Sequence, residues 1–162
     1  MTHTDEPVPG LQPSVFDRLL DPQSGGTAAA PGYSVRQLMA SVLRDLNDLL
    51  NTVCPIRSLP TRYPETARSV AAYGVADLVS AEADTKEQRT VIGQVIKAAI
   101  ERFEPRLKNV RVVMLSEKPD ARMAVMYRID ARIAADPAPA VAFETLLELN
   151  TGKCVVTTPG AT

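Results

Sequence analysis

Few residues of this chain have the types and spacing that catalysis or metal binding needs. The only histidine is His3, so the Ser-His-Asp and Cys-His arrangements of nucleophilic enzymes and histidine-based metal sites are excluded. Cys54 and Cys154 form no CxxC pair, which predicts buried thiols in a reducing compartment. The pair Gly25-Gly26 follows no strand, so it does not predict a phosphate-binding loop. We therefore expect no catalytic residue, no cofactor and no metal.

One pair of carboxylates keeps an enzymatic alternative open. Glu101 and Glu104 lie three residues apart on one face of a predicted helix, and glycosidases use two carboxyl groups about 5–10 Å apart. The chain has no Trp and few aromatic residues that could form a sugar-binding platform. A lysozyme-like glycoside hydrolase is therefore retained only as an alternative function.

The segment Glu104-Pro105-Arg106-Leu107 is the most unusual local pattern. It places a carboxylate at the carboxyl end of a helix, where the helix dipole disfavours negative charge, and a guanidinium follows two residues later. One interpretation is a local Glu104 to Arg106 bridge or a solvated junction. The other is a rigid corner that displays both side chains to a protein partner, because guanidinium groups pair well with carboxylates.

Hydrophobic periodicity predicts that helices precede a sheet. Four segments have the spacing and capping residues of helices: a short helix after Pro13, a long one over 35–51, a short one from Pro64 to about Tyr73, and a long one that begins at Thr85 and ends before Pro105. The first could dock on its own core or on a partner.

After Pro105 the apolar period changes from 3.6 to 2. Four runs alternate and are separated by short turns, which predicts an α+β fold with amino-terminal helices packed on a four-stranded, mainly antiparallel meander: 107–116, 121–134, 140–149 and 153–158. In the second hairpin we expect Arg132 opposite Glu144 and Arg128 opposite Glu148.

The last run is predicted to leave an edge strand with unpaired backbone groups that a partner's strand could use. Alternatively, residues 1–12 or the loop at 21–33 cover that edge. Residues 106–132 contain seven basic and three acidic side chains, a net charge of +4, which would attract an acidic partner.

Length and charge set further limits. The chain has 162 residues with 18 Lys+Arg and 19 Asp+Glu, so we expect one domain at 13–158, a flexible leader at 1–12, a flexible loop at 21–33 and a tail at 159–162. The near-zero net charge disfavours nucleic acid as a partner. The chain contains neither a signal peptide nor a long apolar run, which predicts a cytoplasmic protein that does not insert into membranes.

Four stretches together carry a resemblance to a known family: SVFDRLLD at 14–21, SVLRDLNDLLN at 41–51, YPETARSVAAYGVADL at 63–78, and FEPRL at 103–107. With two long helices before a terminal meander, residues 13–158 resemble TssE, the small subunit of the type VI secretion baseplate. TssE is itself similar to the lysozyme-labelled wedge protein of contractile-tail phage baseplates. Thr52-Val53-Cys54 departs from the pattern, because TssE chains often carry an arginine after LLN.

The resemblance implies a structural, non-enzymatic role. It implies a place in a wedge with TssF and TssG, near TssK and around the inner-tube hub, in a baseplate that other subunits dock at the cytoplasmic membrane. It further implies that an edge strand starts sheath assembly with TssB and TssC, and that Glu104, Pro105 and Arg106, with the adjoining Leu107, contact a partner. A small adaptor or regulatory protein that uses the same sheet is the other alternative.

Overall fold

The computed structural model describes residues 11, 13–20, 33–55, 62–76, 85–115, 124–134 and 139–159. The predicted leader, loop and tail fall almost entirely outside these ranges. The chain divides into two compact units, Met1–Arg44 and Asp45–Thr162, and the division lies within the second helix. A single domain over 13–158 stays a prediction.

The first unit contains a short helix and the beginning of a long one. Helix α1 spans Val15–Leu20, and helix α2 spans Val35–Asn51 and continues into the second unit. A reciprocal pair of hydrogen bonds begins α2: the Ser34 hydroxyl accepts from the Gln37 amide at 3.2 Å, and the Gln37 side chain accepts from the Ser34 amide at 2.9 Å. The predicted serine cap is therefore confirmed.

The remaining helices belong to the second unit. Helix α3 spans Pro64–Arg68, a 3-10 helix spans Val70–Ala72, and helix α4 spans Lys86–Phe103. The sequence predicted one helix from Pro64 to Tyr73, but Ser69 interrupts it with extended backbone, and its hydroxyl donates to the carbonyl of Thr66 at 2.8 Å. The predicted capping box of Thr85 and Gln88 is present at the start of α4.

The carboxyl-terminal half of the second unit is a four-stranded antiparallel sheet with strands in the order β1-β2-β3-β4. The strands are β1 Leu107–Met114, β2 Ala124–Ile133, β3 Ala140–Glu148 and β4 Cys154–Thr157. Helix α4 packs on β1. Helices followed by an antiparallel sheet confirm the predicted α+β fold class.

Alternation along the strands separates a buried face of the sheet from an outer face. The buried face carries the side chains that the period of two predicted, including Val125, Tyr127, Ile129, Phe143 and Leu147. The Tyr127 hydroxyl donates to the carbonyl of Arg89 in α4 at 2.9 Å. Burial raises the pKa of Tyr127 to about 12, so the hydroxyl keeps its proton at neutral pH.

A β-bulge in β1 changes which residues share a face. The β1–β2 register shifts between Lys108 and Arg111, and Asn109 has a φ of 54°, a conformation that Asn adopts more readily than most residues. As a result Leu107 and Val110 are both buried, while Lys108 and Arg111 are both exposed. Alternation along 107–116 did not predict this bulge.

The predicted register of the β2–β3 hairpin is wrong by four residues. Arg128 lies opposite Glu144, Arg132 opposite Ala140 and Glu148 opposite Ala124. An even shift leaves every side chain on its predicted face, so alternation could not exclude the observed pairing. The Ile133 amide donates to the carbonyl of Pro139 at 3.0 Å, which closes a shorter hairpin than we expected.

Candidate functional site

The segment Glu104–Leu107 forms a tight turn between α4 and β1. The Glu104 amide donates to the carbonyl of Ile100 and ends the helix, and the Leu107 amide donates to the Glu104 carbonyl at 3.1 Å. This bond makes the four residues a β-turn with Pro105 at its second position, where the fixed φ of proline is favourable. The sequence therefore builds a rigid corner.

The Glu104 carboxylate is fully engaged inside this corner. It accepts hydrogen bonds from the Arg106 amide at 3.1 Å and from Arg106 Nε at 2.7 Å, and it also pairs with the terminal guanidinium nitrogen Nη2. The same Nη2 donates to Oδ2 of Asp45, in α2, at 2.5 Å. Burial by itself would lower the pKa of Arg106, but the bonds and charges of Glu104 and Asp45 raise it overall.

The four predicted partner-binding residues differ in exposure. Glu104 is 4% exposed and Leu107 is 3% exposed, so neither presents its side chain to a partner directly. Pro105 is exposed, and the Arg106 side chain is 23% exposed. The local Glu104 to Arg106 bridge is therefore present, and the role of the corner in binding a partner stays a prediction.

Two aromatic side chains complete the cluster beside the corner. The rings of Tyr73 and Phe103 meet edge to face with centroids 5.3 Å apart. Burial raises the pKa of Tyr73, and the negative charges of Asp48, Asp45 and Glu104 raise it further. The three sequence stretches that carry SVLRDLNDLLN, YPETARSVAAYG and FEPRL thus converge in space. Only this long-range packing, which no local pattern encodes, reveals that they form one cluster.

The residues after α2 pair with the residues after Tyr73. The Cys54 amide donates to the Val75 carbonyl at 2.8 Å, and the Val75 amide donates to the Thr52 carbonyl at 2.9 Å. Gly74, which precedes Val75, has a φ of 109°, and a Cβ at this position would overlap the Thr52 carbonyl oxygen. A glycine is therefore required where the backbones of these two segments approach each other so closely.

Two asparagines of α2 occupy the edge of the sheet at β4. Asn51 accepts from the Cys154 amide at 3.0 Å and donates to the Cys154 carbonyl at 2.8 Å. Asn47 does the same for Val156, at 2.9 Å and 3.1 Å. The expected open edge at β4 is therefore wrong at these two residues. Side chains of α2 cover it, and the predicted alternative covers, residues 1–12 and 21–33, lie outside the described ranges save for isolated residues.

The outer face of the sheet carries most of the basic side chains that the sequence analysis counted in residues 106–132. Lys108 and Arg132 lie directly opposite each other on β1 and β2, and both are exposed. On β2, Arg128 Nε donates to Asp130 Oδ1 at 2.8 Å, in the place of the predicted Arg128 to Glu148 pair. The cations of β1 and β2 thus form one basic region on the outer face.

The described residues offer little for catalysis. Glu101 is exposed and pairs with Lys97 at 3.8 Å, whereas both Glu104 oxygens are bonded to Arg106, so the predicted carboxylate pair has no matched acid and base arrangement. In the described ranges no group of His, Cys, Asp or Glu side chains could hold a metal ion. Cys54 and Cys154 form no disulfide. Cys154 is buried as predicted, and burial raises the pKa of its thiol to about 11, whereas Cys54 is only partly buried, so the prediction is wrong there.

A second polar cluster lies in the first unit. The buried Asp17 of α1 accepts from the hydroxyls of Ser14 and Ser41, each at 2.7 Å, and pairs with Arg44 at 2.7 Å. Burial raises the pKa of Asp17, but these bonds outweigh it and lower the pKa to about 2. A polar contact therefore ties α1 to α2 within this unit. The apolar Val15 and Leu19 of α1 remain 73% and 78% exposed.

No helix within the described residues combines the length and apolar character needed to cross a bilayer.

The comparison with curated proteins finds no match. Two chains of solved structures are similar to this chain. One is described as "The baseplate complex from the type VI secretion system", with 16% identity and a TM-score of 0.48 over 68% of this chain and 94% of that chain.

The family model described as "Baseplate wedge protein gp25" matches residues 36–138, more than half of the chain. The match contains α2 except for its first residue, Val35, together with the convergent cluster, the corner and strands β1 and β2. The predicted resemblance to baseplate wedge proteins is thereby confirmed. The chain belongs to the baseplate wedge protein gp25 family.

Proposed function

We propose that this protein is a structural subunit of a type VI secretion baseplate, equivalent to TssE, that works in the cytoplasm and breaks no bond. The family match over residues 36–138 is the observation that supports a structural baseplate role. The finer assignment to type VI secretion adds the resemblance of the four sequence stretches. The engagement of both Glu104 oxygens by Arg106 agrees with a role outside catalysis.

In this proposal the corner is a preformed contact for the wedge subunits TssF and TssG. Glu104 and Asp45 hold the Arg106 guanidinium, so its direction is set before a partner arrives. Pro105 and the exposed part of Arg106 then form the surface that meets the partner. Preorganisation of this kind lowers the entropy cost of association. TssK and the inner-tube hub lie nearby in the assembled baseplate.

The sheet supplies the second contact in this proposal. An open sheet edge can receive an extended segment of the sheath proteins TssB and TssC, which would start sheath assembly. Backbone hydrogen bonds give such a contact affinity without requiring special side chains. The basic region of the outer face would attract an acidic segment to this part of the protein.

Co-purification from cells tests the wedge role. We expect the tagged protein to retain TssF and TssG, and Pro105→Glu to lose them because it places a charge on the exposed part of the corner. The matched control is Gln94→Glu, which adds the same charge to the exposed face of α4. Equal retention by both variants would contradict the corner contact, and purification of a solitary protein would favour the adaptor alternative.

A peptidoglycan turbidity assay tests the hydrolase alternative. We expect the purified protein to leave the turbidity of a cell-wall suspension unchanged. Clearing that disappears in Glu101→Gln would contradict a purely structural role, since this substitution removes only an exposed carboxylate.

A further inference from the structure

The two edges of the sheet differ in whether α2 covers them. At β4 the Asn47 and Asn51 side chains take the positions of a neighbouring strand, with four hydrogen bonds of 2.8–3.1 Å. The spacing explains the fit: residues four apart in a helix rise about 6 Å, and residues two apart in a strand about 6.8 Å. An asparagine pair at this spacing therefore closes two successive outward positions of β4.

At β1 the corresponding backbone groups are open among the described residues. The Leu115 amide donates to the Met126 carbonyl at 2.8 Å, so Leu115 and Met126 form a hydrogen-bonded pair. Hydrogen-bonded and non-bonded pairs alternate in antiparallel sheets, so Val112 and Met114 direct their amides and carbonyls away from β2. β1 is the terminal strand of the sheet, and no described residue pairs with these outward groups.

The side chains along β1 specify what kind of strand fits there. Val113 and Leu115 are exposed on the outer face, at 36% and 48%. Arg111 follows on the same face, opposite Asp130, whose carboxylate pairs with Arg128. Beyond the bulge lies the like-charged pair of Lys108 and Arg132. Like charges directly opposite each other repel, and within the described ranges none of these three cations forms an ion pair. A carboxylate on an incoming strand beside Arg111 would supply a counter-charge to this row of cations.

We propose that β1, and not β4, receives the partner strand, and that the partner is an extended protein segment with apolar residues beside Val113 and Leu115 and a carboxylate beside Arg111. This inference rests on the proposed function, because it names the edge through which the sheet meets a sheath protein. The asparagine pair of α2 directs the partner to β1, since it already fills the backbone positions of β4.

The substitution Val112→Pro tests the choice of edge. It removes an outward amide and leaves every β1–β2 ladder bond in place, which is the position where an edge strand tolerates proline. The matched control is Val112→Thr, which keeps the amide and nearly the same shape. We expect Val112→Pro to reduce the number of cells with fluorescent sheaths by about tenfold or more, because both a hydrogen bond and steric fit are lost. Val112→Thr should keep wild-type sheath numbers.

Wedge co-purification distinguishes the possible failures. We expect Val112→Pro to remain folded and to retain TssF and TssG while sheath assembly is lost. Unchanged sheath assembly in Val112→Pro would overturn the choice of β1. Loss of both sheath and wedge partners would also overturn it, because the substitution would then act beyond the edge. If the wild-type protein itself retains no wedge partner, the proposed function fails independently of this inference.

Hydrogen exchange of the isolated full chain supplies a second, independent test. The amides of Cys154 and Val156 are bonded to asparagine, so we expect them to exchange at least about tenfold more slowly than the open amides of Val112 and Met114. Equal protection at the two edges would mean that another segment of this chain covers β1, which would overturn the inference.

The charge of the partner strand is tested by Arg111→Gln, which removes one positive charge without placing a second carboxylate opposite Asp130. We expect this substitution to lower sheath numbers, and Gln94→Glu on the exposed face of α4 to leave them unchanged. Equal sheath numbers in the two variants would contradict an acidic partner segment.

Discussion

The Glu104 carboxylate is expected to contribute strongly to the stability of the isolated protein. Its side chain is 5% exposed and accepts three hydrogen bonds from Arg106. Glu104→Ala removes these acceptors and leaves the guanidinium, which is 23% exposed, paired with Asp45 of α2. The substitution therefore converts a balanced buried pair into a partly compensated buried charge.

The expected loss in free energy of unfolding follows from that geometry. Removing one partner of a buried ion pair costs about 3–5 kcal/mol. Because Arg106 is partly exposed and keeps Asp45, we expect the lower end, about 3 kcal/mol, against a total stability of about 5–15 kcal/mol. For a chain of this length, the melting temperature should fall by roughly 6–12 °C.

Urea unfolding measures the effect, with Glu101→Ala as the matched control. Glu101 lies three residues earlier on α4, is exposed and has one ion pair, with Lys97, so its removal should cost about 0.5 kcal/mol or less. The midpoint for Glu104→Ala should move to clearly lower urea with an unchanged slope. Equal midpoints for the two variants would refute the role of Glu104 in holding the corner.

Three further predictions concern stability. Asp17 has a pKa of about 2 in the folded protein, against an ordinary value of 3.8. Its carboxylate therefore adds about 2 kcal/mol to the free energy of unfolding above pH 4, and this contribution is lost as the pH falls from about 4 to 2. Acid unfolding of Asp17→Asn should lack this pH dependence. The double substitution of Asn47 and Asn51 by Ala removes the side-chain partners of four backbone groups of β4. Amide exchange in β4 should therefore accelerate, and the free energy of unfolding should fall by at least about 2 kcal/mol. Unchanged exchange would contradict closure of that edge. Gly74→Ala should lower the melting temperature and reduce the free energy of unfolding by about 1–3 kcal/mol or more. A φ of 109° is strained for alanine, and the added Cβ would overlap the Thr52 carbonyl oxygen. An unchanged melting temperature would contradict this close approach.

The sequence predicted the elements of this fold well because their signals are local. A period of 3.6 with capping residues marks α2 and α4, and a period of two assigns the buried residues of β2 and β3 to the correct face. Register was not accessible in the same way, since a shift of four residues leaves Arg128 and Arg132 on the same face. The bulge at Asn109 broke the alternation of β1 without a glycine to signal it.

The candidate site was predicted only in part. The charges of Glu104 and Arg106 indicated a special corner, but Asp45 and Tyr73 reach it through packing between segments far apart in the chain. Asn47 and Asn51 belong to the predicted helix over 35–51, but the sequence pattern assigned them no role. Their four-residue spacing matches two outward positions of a strand edge. This spacing predicts a contact only once the edge of β4 is known to lie beside the helix.

Strand addition at β1 can be seen in a cryo-EM map of the protein purified with its bound partners from sheath-forming cells. We expect a fifth strand from another protein beside β1, the Asn47 and Asn51 bonds to β4 intact, and a second protein against Pro105. A map in which the outer edge of β1 faces solvent, or in which a strand displaces the asparagines from β4, would contradict this expectation.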